Sequence, residues 1–336
     1  MKRRNFIQNS SKFGLAVSIF GVYSCKENKK KEMVGTENEK PETAVESAGP
    51  FFQLSLAQWS INRMIREDGM DPYTFAEKAK DWGFSGLEYV SQLYSKELGA
   101  SDYSDEAMAN FVAKCNKESQ KYGLKNLIIM IDHEGDLSAV SADERKEAVK
   151  KHQKWVDAAA AMGCHSVRVN LMGAKTKEEW IVGSVDGLTQ LATYAKEKNI
   201  HVIVENHGGL SSNAGLLAQV MEEVSMDNCG TLPDFGNFCV QREDGSYFNS
   251  PCIEQYDIYK GVKELMPYAK AVSAKSHDFD AEGNETEIDY VKMLQIVKDA
   301  GYKGFIGVEY EGNEMGEKDG IMATKNLLLT AAKKLS

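Results

Sequence analysis

Three carboxylates and an imidazole stand at the ends of short apolar runs in the second half of this chain. HVIVENHGG carries Glu205, CGTLPDFGN carries Asp234, KSHDFD carries His277 and GFIGVEYEG carries Glu309. A carboxylate at the tip of a buried strand is costly unless something pairs with it. Three of them converging with an imidazole from different strands suit a divalent cation, which offsets that cost. Oxygen-rich ligands with one imidazole suit Mn²⁺ best, with Co²⁺, Mg²⁺ or Zn²⁺ as alternatives.

Positioning such groups requires elements that all end at one face. Apolar runs of strand length start near Gln53, Ser85, Leu124, Ser166, His201, Gly230, Ala271 and Phe305. Helical patterns separate them: Phe75, Ala76, Ala79 and Trp82 share one face of the first, and Tyr290, Leu294 and Val297 one face of the seventh. Gly83, Gly123, Gly163 and Gly301 each stop a helix just before a strand. Repetition of helix, Gly stop and apolar strand implies a parallel sheet. Two units are near-repeats: Gly83-Phe84-Ser85-Gly86 runs on to Glu88-Tyr89 as Gly301-Tyr302-Lys303-Gly304 runs on to Glu309-Tyr310. Eight such units are expected to close into a (β/α)8 barrel, a single α/β domain over residues 51–336. A doubly wound open sheet is the alternative, but no Gly-rich dinucleotide loop follows the first strand.

Working residues of such a barrel sit at the C-terminal ends of its strands. In order these are Trp59, Glu88, His133, Asn170, Glu205 with His207, Asp234, Lys275 to His277, and Glu309. Trp59 offers an apolar wall for a sugar ring, Lys275 a cation for a developing oxyanion, and Glu88 shares the repeat position of Glu309. Trp59, Glu88, His133, Asn170 and His207 are the candidate substrate contacts. His152 lies in a helical stretch, and His165 and His201 open strands on the far side, so all three are expected to be structural or solvent-facing.

VIVENHGG, TLPDFGN and AGYKGFIGVEYEG resemble the later strands of the xylose isomerase-like TIM-barrel superfamily, and LSLAQWS its first. The resemblance covers Gln53 to the C-terminus. That group contains sugar-phosphate isomerases and epimerases and ketose 3-epimerases. The resemblance implies that Glu205, Asp234, His277 and Glu309 hold one divalent metal, with Glu205 and Glu309 as the proton-transfer pair. The seventh strand departs from the family's usual His, any residue, Lys, Asp. Aligning on Lys275 puts Ser273 at the imidazole position; aligning on His277 moves the ligand outward along the strand. Ser is a poor ligand, so His277 is favoured, with His207 as the competing imidazole.

Isomerising or epimerising a sugar removes a carbon-bound proton beside a carbonyl and places charge on oxygen, which a chelating metal and paired acid and base groups serve. The expected activity is therefore sugar isomerase- or epimerase-like, through an enediolate. If the substrate carries a ketone at C3, loss of the C2 proton makes an enolate able to expel the aglycone from C1. The same residues would then act as a β-eliminating lyase on 3-keto-glycosides. A non-catalytic sugar-binding lipoprotein is the further alternative. The superfamily's abasic-site DNA endonuclease needs more histidines, at the second and third strands, where this chain has Glu88.

Composition and the N-terminus narrow the partners. A net charge of −10 argues against nucleic acid. Lys2-Arg3-Arg4-Asn5-Phe6 and the apolar stretch Phe13 to Tyr23 read as an export signal ending in a lipobox-like Cys25. Residues 26–50, rich in Lys, Glu, Thr and Pro, read as a charged tether. The expected location is periplasmic or anchored at the outer membrane, touching membrane only through lipid on Cys25. Export favours a free sugar, keto-sugar or glycoside over a sugar phosphate. Cys239 and Cys252 are the nearest candidates for a disulfide, with free buried thiols the alternative.

Overall fold

The computed structural model describes residues 49–335. The export signal, Cys25 and nearly all of the tether lie outside the described residues. Eight parallel strands build the frame: β1 (Gln53–Ala57), β2 (Gly86–Val90), β3 (Lys125–Met130), β4 (Ser166–Val169), β5 (His201–Glu205), β6 (Cys229–Leu232), β9 (Val272–Ser276) and β10 (Phe305–Tyr310). Their order is β6-β5-β4-β3-β2-β1-β10-β9. Parallel bridges Thr231↔Ala269 and Asp234↔Ser273 join the two edges and close the ring. The (β/α)8 expectation holds, and each observed strand starts within one residue of its expected start.

The sequence explains these elements locally. Strands buried on both faces read as near-continuous apolar runs, as Val202, Ile203 and Val204 of β5 do, each at 0% exposure. Short helices α1 (Asn62–Arg66) and α3 (Ser95–Gly99) follow β1 and β2, and the outer layer consists of α2 (Phe75–Asp81), α4 (Asp105–Tyr122), α5 (Ala142–Met162), α6 (Lys177–Lys196), α7 (Ala214–Val224), α8 (Ile258–Leu265), α9 (Tyr290–Asp299) and α10 (Glu317–Lys334). Ser104, Ser141 and Thr176 side chains accept from the backbone N–H of Ala107, Glu144 and Glu179, satisfying donors that a helix start leaves open. All four Gly stops adopt positive φ, between 67° and 76°. Trp155 and Trp180 anchor the packing between layers, their indole N–H groups donating to Glu134 Oε1 at 2.7 Å and to Leu171 O at 3.1 Å.

One element has no counterpart in the sequence expectation. Between β6 and α8, strands β7 (Cys239–Arg242) and β8 (Cys252–Gln255) form an antiparallel hairpin. Cys239 and Cys252 are disulfide-bonded across it. Cys115, Cys164 and Cys229 are free and buried.

Candidate active site

The ring closure and the acidic cluster are the same place. Register sets Asp234 beside Ser273, and Lys275 beside Glu309. Glu205 enters from the tip of β5. Ligand-capable oxygens of Glu205, Asp234 and Glu309 all lie within 4.8 Å of one another. The three residues are 1%, 0% and 3% exposed. Asp234 Oδ1 accepts from the Gly236 and Asn237 backbone N–H at 2.9 and 2.8 Å. Asn237 Nδ2 donates to Glu205 Oε1 at 3.1 Å. The Ser273 hydroxyl lies 2.7 Å from Asp234 Oδ2 and 2.8 Å from Glu309 Oε2, and its one proton serves either.

Two buried cations hold the cluster. Lys275 Nζ lies 2.6 Å from Glu311 Oε1, 3.3 Å from Glu309 Oε2 and 3.9 Å from Asp234 Oδ2. Arg168 bridges Glu205 Oε2 at 3.0 Å and Asp132 Oδ1 at 2.8 Å. Burial works against the Lys275 charge, but the surrounding carboxylates outweigh it and hold its pKa well above the ordinary value. Burial pushes Glu205 up to about 7; Arg168 opposes the shift and Glu309 adds to it. Asp234 is likewise pushed up to about 7 by burial, opposed by Lys275 and reinforced by Glu205 and Glu309. Burial also opposes ionisation of Glu311, yet the Lys275 ammonium prevails and keeps that carboxyl below its usual range.

Above this floor opens a cavity of about 660 Å³. Trp59, His133, Asn170, His207, Glu309 and Glu311 line it, so four of the five expected substrate contacts stand together. His207 Nδ1 pairs with Asn170 Oδ1 at 2.9 Å, and Asn170 Nδ2 donates to Asp132 Oδ1 at 2.8 Å. Burial, then Arg168 and Lys275, lower the His207 pKa to about 4, so its ring is neutral at physiological pH. His133 Nε2 lies 2.9 Å from Gln92 Oε1. Of the expected proton-transfer pair, Glu309 lines the cavity, whereas Glu205 lies in the floor, tied to Arg168 and Asn237. Lys275 is at the floor too, touching the cavity through its partners Glu309 and Glu311.

Two expectations are corrected. His277 does not join the carboxylate group: it lies four residues beyond Ser273, past the end of β9, and the inward position belongs to Ser273. Its backbone N–H donates instead to Glu285 Oε1 at 3.2 Å. His207 does not join that group either. Glu88 is not a cavity residue. It lies inside the barrel, bonded to Ser55 Oγ at 2.6 Å, with Oε2 unpartnered. A Cβ on Gly307 would come within 2.5 Å of that oxygen, so glycine in β10 is what admits the carboxyl. Burial raises Glu88 to about 8, with Glu309 and Glu205 adding to the shift and Ser55 opposing it. Of the other histidines, His152 is buried with Nδ1 on Ala148 O yet also lines the cavity, whereas His201 Nδ1 meets His165 O at the opposite end of the strands.

Arg168, Asp132, Asn237 and Glu311 were not anticipated, and Ser273 was set aside as a poor ligand. Period-two alternation carried a signal for three of them. Arg168 precedes Asn170 by two, Glu311 follows Glu309 by two, and Ser273 precedes Lys275 by two.

The donor set decides what the floor could hold. Five carboxylates (Asp132, Glu205, Asp234, Glu309 and Glu311) share two cations, leaving excess negative charge. Glu205, Asp234 and Glu309 could hold a divalent metal ion through oxygen alone.

The IolI protein solved with a bound zinc atom superposes with a TM-score of 0.63 at 15% identity, covering 84% of this chain and 99% of that one. The 3-keto-D-glucoside 4-epimerase YcjR of E. coli gives 0.61 at 12% identity, covering 83% and 99%. At such identities the likeness speaks for the fold alone. The C-glycoside deglycosidase alpha subunit of Arthrobacter globiformis is 34% identical over 65 residues, which span 18% of its length and 18% of this chain. The xylose isomerase-like TIM barrel family model matches residues 76–328, and the chain belongs to that family.

Proposed function

We propose that this protein removes a carbon-bound proton beside the carbonyl of a sugar or keto-sugar, in the manner of a sugar isomerase or epimerase. The observation that carries the reading is Glu309. It faces the cavity while Lys275 and Ser273 fix its other side above a buried acidic floor. Glu309 takes the proton. The Lys275 ammonium, preorganised in a dry site, favours negative charge on the substrate's oxygen as it develops. Asn170, His207 and His133, each held by a neighbour, accept or donate to hydroxyls and orient the ring. Glu205, Asp234 and Glu309 would hold a divalent cation, Mn²⁺ for preference, which supplies chelation and charge stabilisation to the enediolate. The cavity wall also carries Asp132, Glu134, Asp136 and Glu311, a field that repels phosphate and admits a neutral sugar. That agrees with export of the chain through residues 1–25 and anchoring at Cys25, which are part of the same proposal.

A second reading has a specific observation behind it. The match to a C-glycoside deglycosidase subunit, though short, favours expulsion of an aglycone after the same proton is lost. The test is product analysis with keto-hexoses and with 3-keto-glycosides, on protein loaded with Mn²⁺ and on protein stripped by chelator. New keto-sugar isomers or epimers support the first reading. Release of the aglycone with an unsaturated sugar supports the lyase. Binding without any turnover would leave a sugar-binding lipoprotein.

A further inference from the structure

The hairpin stapled by Cys239–Cys252 presents an aromatic ring that the proposed chemistry does not use. Phe248, at its tip, is 48% exposed and lines the active-site cavity. Of the large exposed hydrophobic side chains among the described residues, it alone does so. Its ring lies 4.8 Å from the His207 ring, centroid to centroid, tilted by 44°. An exposed phenyl group is not held in such a place by its own burial. The scaffold holds it. Tyr247 wedges against Gly208 and Gly209, where a Cβ on Gly209 would lie 2.6 Å from the Tyr247 ring. The Tyr247 hydroxyl donates to Met172 O on the loop after β4. Arg242 Nε donates to Tyr247 O at 2.8 Å, and the disulfide pins the base of the hairpin. The result is a preorganised apolar wall over a polar floor, with Met172 and Trp59 lining the same cavity.

We propose that Phe248 is the platform of an aglycone subsite, and that the substrate is a glycoside bearing a planar apolar group rather than a free monosaccharide. This deepens the reading of the site as a keto-sugar enzyme and rests on it. The cavity, about 660 Å³, is of the size that encloses a drug-sized molecule, on the order of 300–1,000 Å³, and leaves room beyond one pyranose ring. Its lining combines two chemistries: the charged Asp132, Arg168, Glu309 and Glu311, and the apolar Phe248, Met172 and Trp59. A sugar suits the first and an aryl group the second, since ring-on-ring packing adds to the area buried.

Binding can be read apart from turnover, because a glucoside without a ketone has no acidic carbon-bound proton. Titrate the full-length protein by calorimetry with 4-nitrophenyl β-D-glucopyranoside and with methyl β-D-glucopyranoside. The aryl glucoside should bind about tenfold tighter, which is about 1.4 kcal/mol. Phe248→Ala should bring the two to within about twofold, leaving the methyl glucoside unchanged, and Phe248→Trp should restore the preference. The half-exposed position tolerates these changes without unfolding the barrel, and circular dichroism verifies that. Equal affinity for the two glucosides in the wild type, no binding of either, or a Phe248→Ala loss shared by both overturns the subsite. An aryl preference that persists in a protein unable to exchange protons on keto-sugars would sink the enzymatic reading and leave the subsite standing.

Discussion

At the scale of single residues, the site turns on which side chain occupies each inward position. Of the triad Glu205, Asp234 and Glu309, only Glu309 meets the cavity, so Glu309→Gln should lower the rate of proton exchange by about 10²–10⁴-fold with the fold intact. Stopped-assay kinetics and a thermal melt check the two halves of that statement. Ser273 stands where an imidazole would complete a four-ligand set, and its hydroxyl spans Asp234 and Glu309. Ser273→His should raise the metal retained after dialysis, read by elemental analysis; unchanged retention would mean that the position does not face the ion. Glu88 gives a sign-specific prediction. Its folded pKa is raised from 4.5 to about 8, so the folded state keeps a proton that the unfolded chain has released across that window. Its contribution to stability is complete below pH 4.5 and is lost as pH rises through about 8. Glu88→Gln should therefore melt with a shallower decline between pH 5 and pH 9 than the wild type. Parallel curves for the two proteins would contradict the buried, protonated carboxyl.

At the scale of elements, what could be read in the sequence was what local periodicity encodes. Apolar runs, helical periodicity and Gly stops located eight strands and the helices between them, and strand tips located Glu205, Asp234 and Glu309. What escaped was set by partners distant in the chain. Ser273 matters because β9 lies against the end of β6, a pairing that no local pattern announces. His277 alternates correctly with Ser273 and Lys275 yet sits beyond the strand, where Glu285 takes its backbone N–H. Glu88 repeats the motif position of Glu309 but lies inside the barrel, because glycine at 307 opens that space to it. The β7–β8 hairpin was invisible because its strands are short and polar; only its cysteines hinted at it. Closing a loop of this size by a disulfide is worth on the order of 3 kcal/mol in the chain-entropy account. Replacing Cys239 and Cys252 by Ser should speed amide hydrogen exchange in residues 239–255 and leave the barrel strands protected. Equal protection with and without the disulfide would show that packing of Tyr247 on Gly208 and Gly209 suffices.

At the scale of the whole molecule, the barrel divides labour between its ends. The strand starts, with His165 and His201 paired to backbone and side-chain oxygens, serve the fold. The strand ends gather five carboxylates and two cations, with Glu205, Asp234, Glu309, Arg168 and Lys275 buried and Asp132 and Glu311 half-buried at the cavity. Such a concentration of buried charge costs stability unless it does chemistry, which is why the acidic floor is read as a working site. The measurement that tests this most directly is deuterium incorporation from D₂O, followed by NMR, into a panel of keto-hexoses and 3-keto-glycosides. The metal-loaded wild type is predicted to label the carbon next to the carbonyl of at least one of them, and Glu309→Gln to label it about 10²–10⁴-fold more slowly. Absence of label from every member of the panel, or equal labelling by the two proteins, would contradict the account.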